Sequence, residues 1–236
     1  MKKGDWLKPI KANTSVVRLI LLRMEEALRN KELKPGDRLP SEPELVKSLG
    51  VGKSSVREAM KMLDAMGIVD IRQGNGTYVR KEPSVDAVNP LIFSLYLHEG
   101  TNQDLVDLRA MFEPAYTIMA MHRATAGDMR EIEAAICIME EKIVKGTQSA
   151  EDDLLFHRAI LKSTHNHYVI RIGEAILRFF KASIEKPVHD NPDISIRDHK
   201  KIFQAFREKD EQKLRDAVAA SFEGWEKTFN DGAENK

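Results

Sequence analysis

The sequence predicts a mainly α-helical protein in two parts. Residues 1–81 read as a winged helix-turn-helix of three helices plus a β-hairpin wing, and residues 82–236 as an all-α antiparallel helical bundle. Three observations predict this. Ser/Glu pairs bracket a tight turn between Leu39 and Gly67, two short apolar runs flank Gln73-Gly74-Asn75-Gly76, and apolar residues beyond Pro90 recur at helical spacing almost without exception.

Ser41 followed by Glu44 is a capping box, each side chain placed to satisfy the other residue's unpaired backbone N–H, so a helix is expected over about 42–49 with Gly50 ending it. After the Val51-Gly52 turn, Ser55 with Glu58 reads as a second box. It opens a helix whose apolar positions are Val56, Ala59, Met60 and Leu63, and Gly67 closes it. Two short helices joined by a tight turn form a helix-turn-helix. Ile68, Val69 and Ile71 then lead through Gln73-Gly74-Asn75-Gly76 into Thr77, Tyr78 and Val79, a hairpin whose Asn-Gly turn calls for positive φ. A linker is legible at Lys81–Pro90. Beyond it, helices are expected at about 90–99, 103–125, 128–146, 150–164, 168–186, 195–209 and 211–230, divided by Gly100, Gly127, Gly146, Asn166, Pro187–Pro192 and Asp210.

Overall charge hides this division, because 37 Lys+Arg balance 37 Asp+Glu. Residues 1–81 carry 17 basic against 10 acidic side chains, which leaves 20 against 27 for the remainder. A basic module joined to an acidic one fits a chain that docks nucleic acid through one end. No run of 18 apolar residues occurs, and Met1–Lys11 lacks the apolar core of a signal peptide, so a cytoplasmic protein without a membrane partner is expected. The lone Cys137, between Ile136 and Ile138, reads as a small core or near-core residue, with redox sensing as the alternative. Met111, Met119, Met121, Met129 and Met139 read as core filler, one or two of them available to line a cavity.

Residues 12–81 resemble the GntR family of bacterial transcription regulators. The resemblance is carried by the Leu39-Pro40-Ser41-Glu42 opening, the small-residue turn, the Ser-rich helix start, the Arg57-Glu58-Ala59 triplet and the Gly74-x-Gly76 wing. It implies that the second helix enters the major groove of double-stranded DNA and that the wing tip reaches the neighbouring minor groove. The chemistry agrees. Lys53, Ser54 and Ser55 stand where free N–H groups and the helix dipole favour a phosphate, and Arg57 offers a bidentate donor pair to a guanine edge. Ser41 at the first helix start and Gln73, Gly74, Asn75 and Gly76 at the wing complete the expected DNA-binding set. At Pro43 many similar chains carry Arg, so one contact of the family is absent.

The second part resembles the FCD ligand-binding domain of the FadR subfamily over about 82–230. The matching residues are Asp107-Leu108-Arg109 with Glu113-Pro114, Asp153-x-x-Phe156-His157 with Ser163 and Asn166, and Asp198-His199 with Ile202. Asp153 and His157, four apart, project from one helix face and can grip one divalent ion, while His199 comes from another helix. The resemblance implies an Asp-His-His metal set completed by a further His twenty-two residues on, where this chain has Ser221. Either three protein ligands hold the metal with water or effector, or the metal is lost. Zinc is the expected ion, with nickel or manganese as alternatives. Arg109 and Glu113, one turn apart, are the expected anchor for a carboxylate, with Asn166 and Ser221 beside them; a structural Arg109 salt bridge is the alternative.

Taken together, these residues predict a homodimeric, ligand-responsive regulator, most readily a repressor, that reads a palindromic operator and is controlled by a small organic acid or sugar acid near a divalent metal. The alternatives are a metal-free regulator with a fatty acyl or other effector, a purely architectural DNA-binding protein that needs no pocket, and a metal-dependent hydrolase using Asp153, His157 and His199. The hydrolase reading lacks a general base at a recognisable spacing, so no enzyme is expected.

Overall fold

In a computed structural model of the chain, the described residues are 5–8, 15–82, 84, 87–98 and 100–230. They form two compact units, Met1–Pro90 and Leu91–Lys236.

The first unit opens with a 3-10 turn, Asp5–Leu7, and continues with α1 (Val16–Arg29), α2 (Glu42–Leu49), α3 (Lys53–Ala65), β1 (Val69–Arg72) and β2 (Gly76–Val79). Ile20, Met24 and Ala27 recur at helical spacing on α1 and are buried with Leu45 and Leu49 of α2, Val56, Ala59, Met60 and Leu63 of α3, and Trp6 of the opening turn. Packing of these faces fixes α3 against α1 and α2. The expected box at the start of α2 forms, with the Ser41 N–H and Oγ both donating to Glu44 Oε2 at 2.8 and 2.7 Å. The second expected box does not form. Helix α3 begins three residues earlier, with Gly52 rather than Ser55 as N-cap, so Ser55 and Glu58 lie inside the helix rather than around its start.

β1 and β2 pair antiparallel, Val69 opposite Val79 and Arg72 opposite Gly76. The segment before α2 joins them, as the Leu39 N–H donates to Thr77 O at 2.8 Å and the Val79 N–H to Asp37 O at 2.8 Å. In the wing turn φ is positive at Gly76 (107°), within the Asn-Gly pair where it was expected, and also at Gly74 (74°), but not at Asn75. Of the expected linker Lys81–Pro90, residues 83, 85 and 86 lie outside the described set. Its far end returns to α3, where the Val88 N–H donates to Ala65 O at 2.8 Å.

The second unit is wholly helical among the described residues: α4 (Pro90–Leu97), α5 (Asn102–Arg123), α6 (Ala126–Lys145), α7 (Ala150–Lys162), α8 (His167–Asp190), α9 (Pro192–Glu208) and α10 (Glu211–Asn230). Thr101 with Asp104, Thr125 with Asp128 and Ser149 with Asp152 form capping boxes that start α5, α6 and α7. Helix α7 packs against α5, α6 and α8, and α10 closes over α5, α8 and α9. A Cβ at Gly173 of α8 would lie 2.5 Å from Leu161 Cδ2, so this glycine sets the close approach of α8 to α7. The core runs through Tyr116, Ile132, Met139, Leu154, Phe156, Ile160, Leu161, Ile202, Leu214 and Val218.

Three expectations change here. Helix α8 runs through Pro187 to Asp190, and only Asn191 separates it from α9, because the buried Ile184 and Val188 carry its apolar face onward past the one backbone bond a proline removes. Cys137 is exposed, since α6 buries Ile132, Ala135, Ile136 and Met139 and turns the cysteine outward. It lines a groove of about 510 Å³ between α6 and α9 together with Lys200, Phe203 and Arg207. Met111 is also exposed, whereas Met121 and Met139 are core residues as expected. No helix among the described residues is long and apolar enough to cross a membrane.

Candidate nucleic-acid interface and metal centre

In the first unit, α3 presents Lys53 and Ser54, both exposed, as its first two residues, with Ser55 half-buried behind them. The unpaired N–H groups of a helix start lie here, beside a cation, which is the arrangement that binds a phosphate. Arg57 lies one turn further on, exposed and bound through Nε to Glu42 Oε2 at 3.0 Å. The wing tip is exposed at Gln73, Gly74 and Asn75, with Gly76 half-buried. The Tyr78 hydroxyl steadies the tip by donating at 3.3 Å to the Asn75 carbonyl, and Arg72 lies over the Tyr78 ring, 4.6 Å from its centroid. Ser41 is exposed but occupied by its cap to Glu44.

Three features of this face were not in the sequence reading. Glu42 was counted only as a helix start, and its bond to Arg57 depends on how α2 meets α3. Arg38 packs on the wing, its Nε 2.9 Å from where a Gly76 Cβ would be, and the positive φ of 107° favours glycine there. Arg80 is engaged internally, with Asp64 at 3.3 Å and Asp70 at 3.7 Å, and adds nothing to the free basic surface.

In the second unit, Asp153 and His157 project from α7 and His199 from α9, and the three meet in the core with ligand atoms within 4.8 Å of one another. Asp153 bridges both rings, its Oδ1 3.3 Å from His199 Nε2 and its Oδ2 3.5 Å from His157 Nε2. The Phe156 ring stacks on His199 at 4.1 Å between centroids. From α5, Glu113 Oε1 lies 3.0 Å from His157 Nδ1, while Arg109 Nε donates to Glu113 Oε2 at 2.7 Å. All five side chains are buried. The result is one connected network of two carboxylates, two imidazoles and a guanidinium.

Burial works against every charge in this network, and neighbours decide the outcome. Burial alone would raise the Glu113 carboxyl, but Arg109 and His157 beside it bring it down to about 2. Burial would lower His157, yet Glu113 and Asp153 on its two nitrogens push it up to about 9. Against the same opposition from burial, His199 and His157 hold Asp153 well below the ordinary carboxylate range. His199 goes the other way: burial, with the positive His157, outweighs Asp153 and the more distant Glu113 and lowers it.

The donor set suits a divalent ion. An oxygen and two imidazole nitrogens are the ligand types zinc takes, and the ring atoms that face Asp153 are Nε2 of both histidines. Ser221 is not among the clustered groups, as its hydroxyl donates back to Val218 O at 2.7 Å. Asn166 is likewise engaged elsewhere, its Oδ1 accepting from the Tyr168 N–H at 3.1 Å at the start of α8. Two residues that the sequence reading missed do reach the network. The Tyr116 hydroxyl lies 3.5 Å from His157 Nδ1, and the Arg109 guanidinium sits 5.3 Å over the Phe222 ring. Tyr116 shares the face of α5 with Arg109 and Glu113 through its spacing of seven and three, a signal that was available. The groove between α6 and α9 contains none of these groups.

Comparison with known proteins matches a different family model to each of the two units. Residues 18–79 match the family described as bacterial regulatory proteins, gntR family, and residues 104–224 match the FCD domain. The HTH-type transcriptional regulator LutR of Bacillus subtilis is 32% identical over 139 residues, which span 59% of this chain and 64% of LutR, just under two thirds of that relative. The HTH-type transcriptional repressor NanR of Cronobacter sakazakii is 29% identical over 197 residues, 79% of this chain and 75% of NanR. Among solved structures, a Streptococcus agalactiae GntR protein superposes with a TM-score of 0.64 at 27% identity, covering 90% of this chain and 99% of that one.

Proposed function

Since this chain belongs to the GntR family of bacterial regulatory proteins, with an FCD domain of the FadR-like kind, and is a DNA-binding transcription regulator, we propose that it is a homodimeric repressor. It releases or retains a palindromic operator according to a small organic acid or sugar acid held in the helical unit beside a divalent metal. One recognition helix covers a half-site, so two copies are needed to read a palindrome. Helix α4 supports self-association, for it leaves Leu91, Phe93, Tyr96 and Leu97 exposed. The repressor sense is supported by similarity to NanR.

On the DNA side, Lys53, Ser54 and Ser55 take a phosphate, Arg57 reads a base edge, and Gln73 to Gly76 enter the minor groove. Asp153, His157 and His199 would hold the metal, with zinc favoured by this oxygen and nitrogen set. It would supply Lewis acidity toward an oxygen ligand. The observation that carries the reading is the buried network itself. With the imidazoles neutral as ligands, two carboxylates against one guanidinium and one divalent ion leave a single positive charge. One effector carboxylate neutralises it. Coupling to DNA is supported by the bond from Val88 to Ala65, which ties the end of the linker to the last turn of α3; such couplings are typically about 1–3 kcal/mol.

The test is a thermal-shift screen of metal-loaded protein against organic acids and sugar acids, followed by operator titration with each hit. A ligand that raises the melting temperature only in the metal-loaded protein, and changes operator affinity, is the expected result. Saturable binding of a fatty acyl compound, unchanged by chelator, would replace this reading with the metal-free one.

A further inference from the structure

We propose that Glu42 is a positioning residue for base recognition, holding the Arg57 guanidinium by its Nε so that the two terminal nitrogens are presented to DNA as a fork. The inference rests on the reading of Arg57 as the base-contacting residue and names what aims it.

Glu42 is the first residue of α2 and Arg57 the fifth of α3, and the turn between the helices is held by the Gly50 N–H donating to Val46 O at 3.0 Å. Leu45 and Leu49 are buried against Val56, Ala59 and Met60, so the two backbones keep one relation. Across that fixed frame Glu42 Oε2 accepts from Arg57 Nε at 3.0 Å. The other acid of this helix start, Glu44, is taken by Ser41. A guanidinium carries five N–H donors in a rigid plane, and a partner on Nε leaves the far edge, with its two terminal nitrogens, free. Guanine presents O6 and N7 side by side in the major groove, the acceptor pair such an edge fits.

An unrestrained arginine loses rotamer freedom on binding, and a side chain already fixed loses less. Glu42 is only 37% exposed while Arg57 remains 60% exposed, so the acid is the anchored partner and the guanidinium the presented one. The arrangement has an electrostatic cost, because a carboxylate beside the phosphates repels them. That cost gives positioning a signature that a merely structural ion pair lacks: removing Glu42 strengthens binding to any DNA while weakening the choice among sequences.

The experiment selects binding sites from a random-sequence duplex library with the full chain, as wild type and as Arg57→Ala, Glu42→Ala and Glu42→Gln. Each protein is then titrated against an unselected duplex at several salt concentrations. Expected is that Arg57→Ala loses preference at one base pair of each half-site and that Glu42→Ala loses about tenfold of preference at that same base pair, with tighter binding to the unselected duplex. Glu42→Gln, which keeps an acceptor for Nε, retains part of the preference. A Glu42→Ala motif identical to wild type overturns the proposal, and so does a loss spread evenly over the motif, which would mean a disturbed helix start. If Arg57→Ala itself selects the unchanged motif, the reading of Arg57 falls, a result distinct from failure at Glu42 alone.

Discussion

The two units use charge in opposite ways. In the winged unit the cations proposed to meet DNA stay in water: Lys53 is exposed, and Arg57 is paired to Glu42 with more than a third of each side chain still accessible. In the helical unit Arg109, Glu113, Asp153, His157 and His199 are all buried and bound into one network. An exposed pair contributes about 0–1 kcal/mol, and the donors it does not use stay open to water and to a further partner. A buried one is costly to break from one side, because the remaining charge is stranded. The pair of the first unit is therefore cheap to perturb, and the network of the second is costly to open from one side.

The largest expected effect tests that contrast directly. Glu113→Ala strands Arg109 and His157 in the core and should destabilise the helical unit by about 3–5 kcal/mol, whereas Glu42→Ala should change stability by less than about 1 kcal/mol. Urea unfolding of both variants makes the measurement. A Glu113→Ala value as small as that of Glu42→Ala would mean that water enters the network and that the contrast is not real.

Next is the metal. If Asp153, His157 and His199 hold a divalent ion, metal at about 100 times its Kd stabilises the native state by about 2.7 kcal/mol, and excess chelator should lower the melting temperature of wild type accordingly. His157→Ala should melt at one temperature with or without chelator and carry no stoichiometric metal by elemental analysis. Ser221→His should tighten metal binding by supplying the ligand that the family resemblance places there. Equal melting of wild type with and without chelator would leave the three residues as hydrogen-bonding groups only.

The DNA face should respond without any change in stability. Arg57→Ala is expected to cost about 1–3 kcal/mol of discrimination at one base pair, read in a gel-shift titration, while Lys53→Ala should weaken binding to all sequences alike and lower the salt slope by about one unit. A Lys53→Ala change confined to one base pair would exchange the two roles.

How far the sequence revealed these sites follows from the range of the interactions. The Ser41–Glu44 box, the end of α2 at Gly50 and the glycines of the wing are written in three or four consecutive residues, and all are found. Ser55 and Glu58 have the same pattern three residues inside α3, because spacing alone cannot separate a cap from a position within the first turn. Asp153 and His157 were legible from their spacing on one helix, and His199 from family resemblance. The bond between Glu113 and His157 spans 44 positions and the one between Glu42 and Arg57 spans 15, so both exist only once helices have packed. Pro187 misled for the same reason: a local rule for breaking helices yielded to the buried Ile184 and Val188.

The smallest expected effect is one in which the two units should behave alike. Both use the same exposed device to start a helix, Ser41 with Glu44 at α2 and Thr125 with Asp128 at α6. Neither box touches the DNA face through Arg57 or the buried network, so Ser41→Ala and Thr125→Ala should each cost about 0.5–2 kcal/mol, whatever separates the units elsewhere. Acid gives a second measure. The Ser41 hydroxyl and N–H hold the Glu44 carboxyl below its ordinary value, and Thr125 and His165 do the same for Asp128 against partial burial. A carboxyl depressed in the folded state contributes stability that is present above its unfolded pKa and is lost as pH falls through the folded one. Each box should therefore weaken as the pH falls below the ordinary carboxylate range, and each Ala variant should show a shallower acid limb than wild type in unfolding measured against pH. A box that costs several times more in one unit than in the other would show that the surrounding core, not the cap, decides the strength of the helix start, and the contrast between exposed and buried charge would then extend to the helix ends as well.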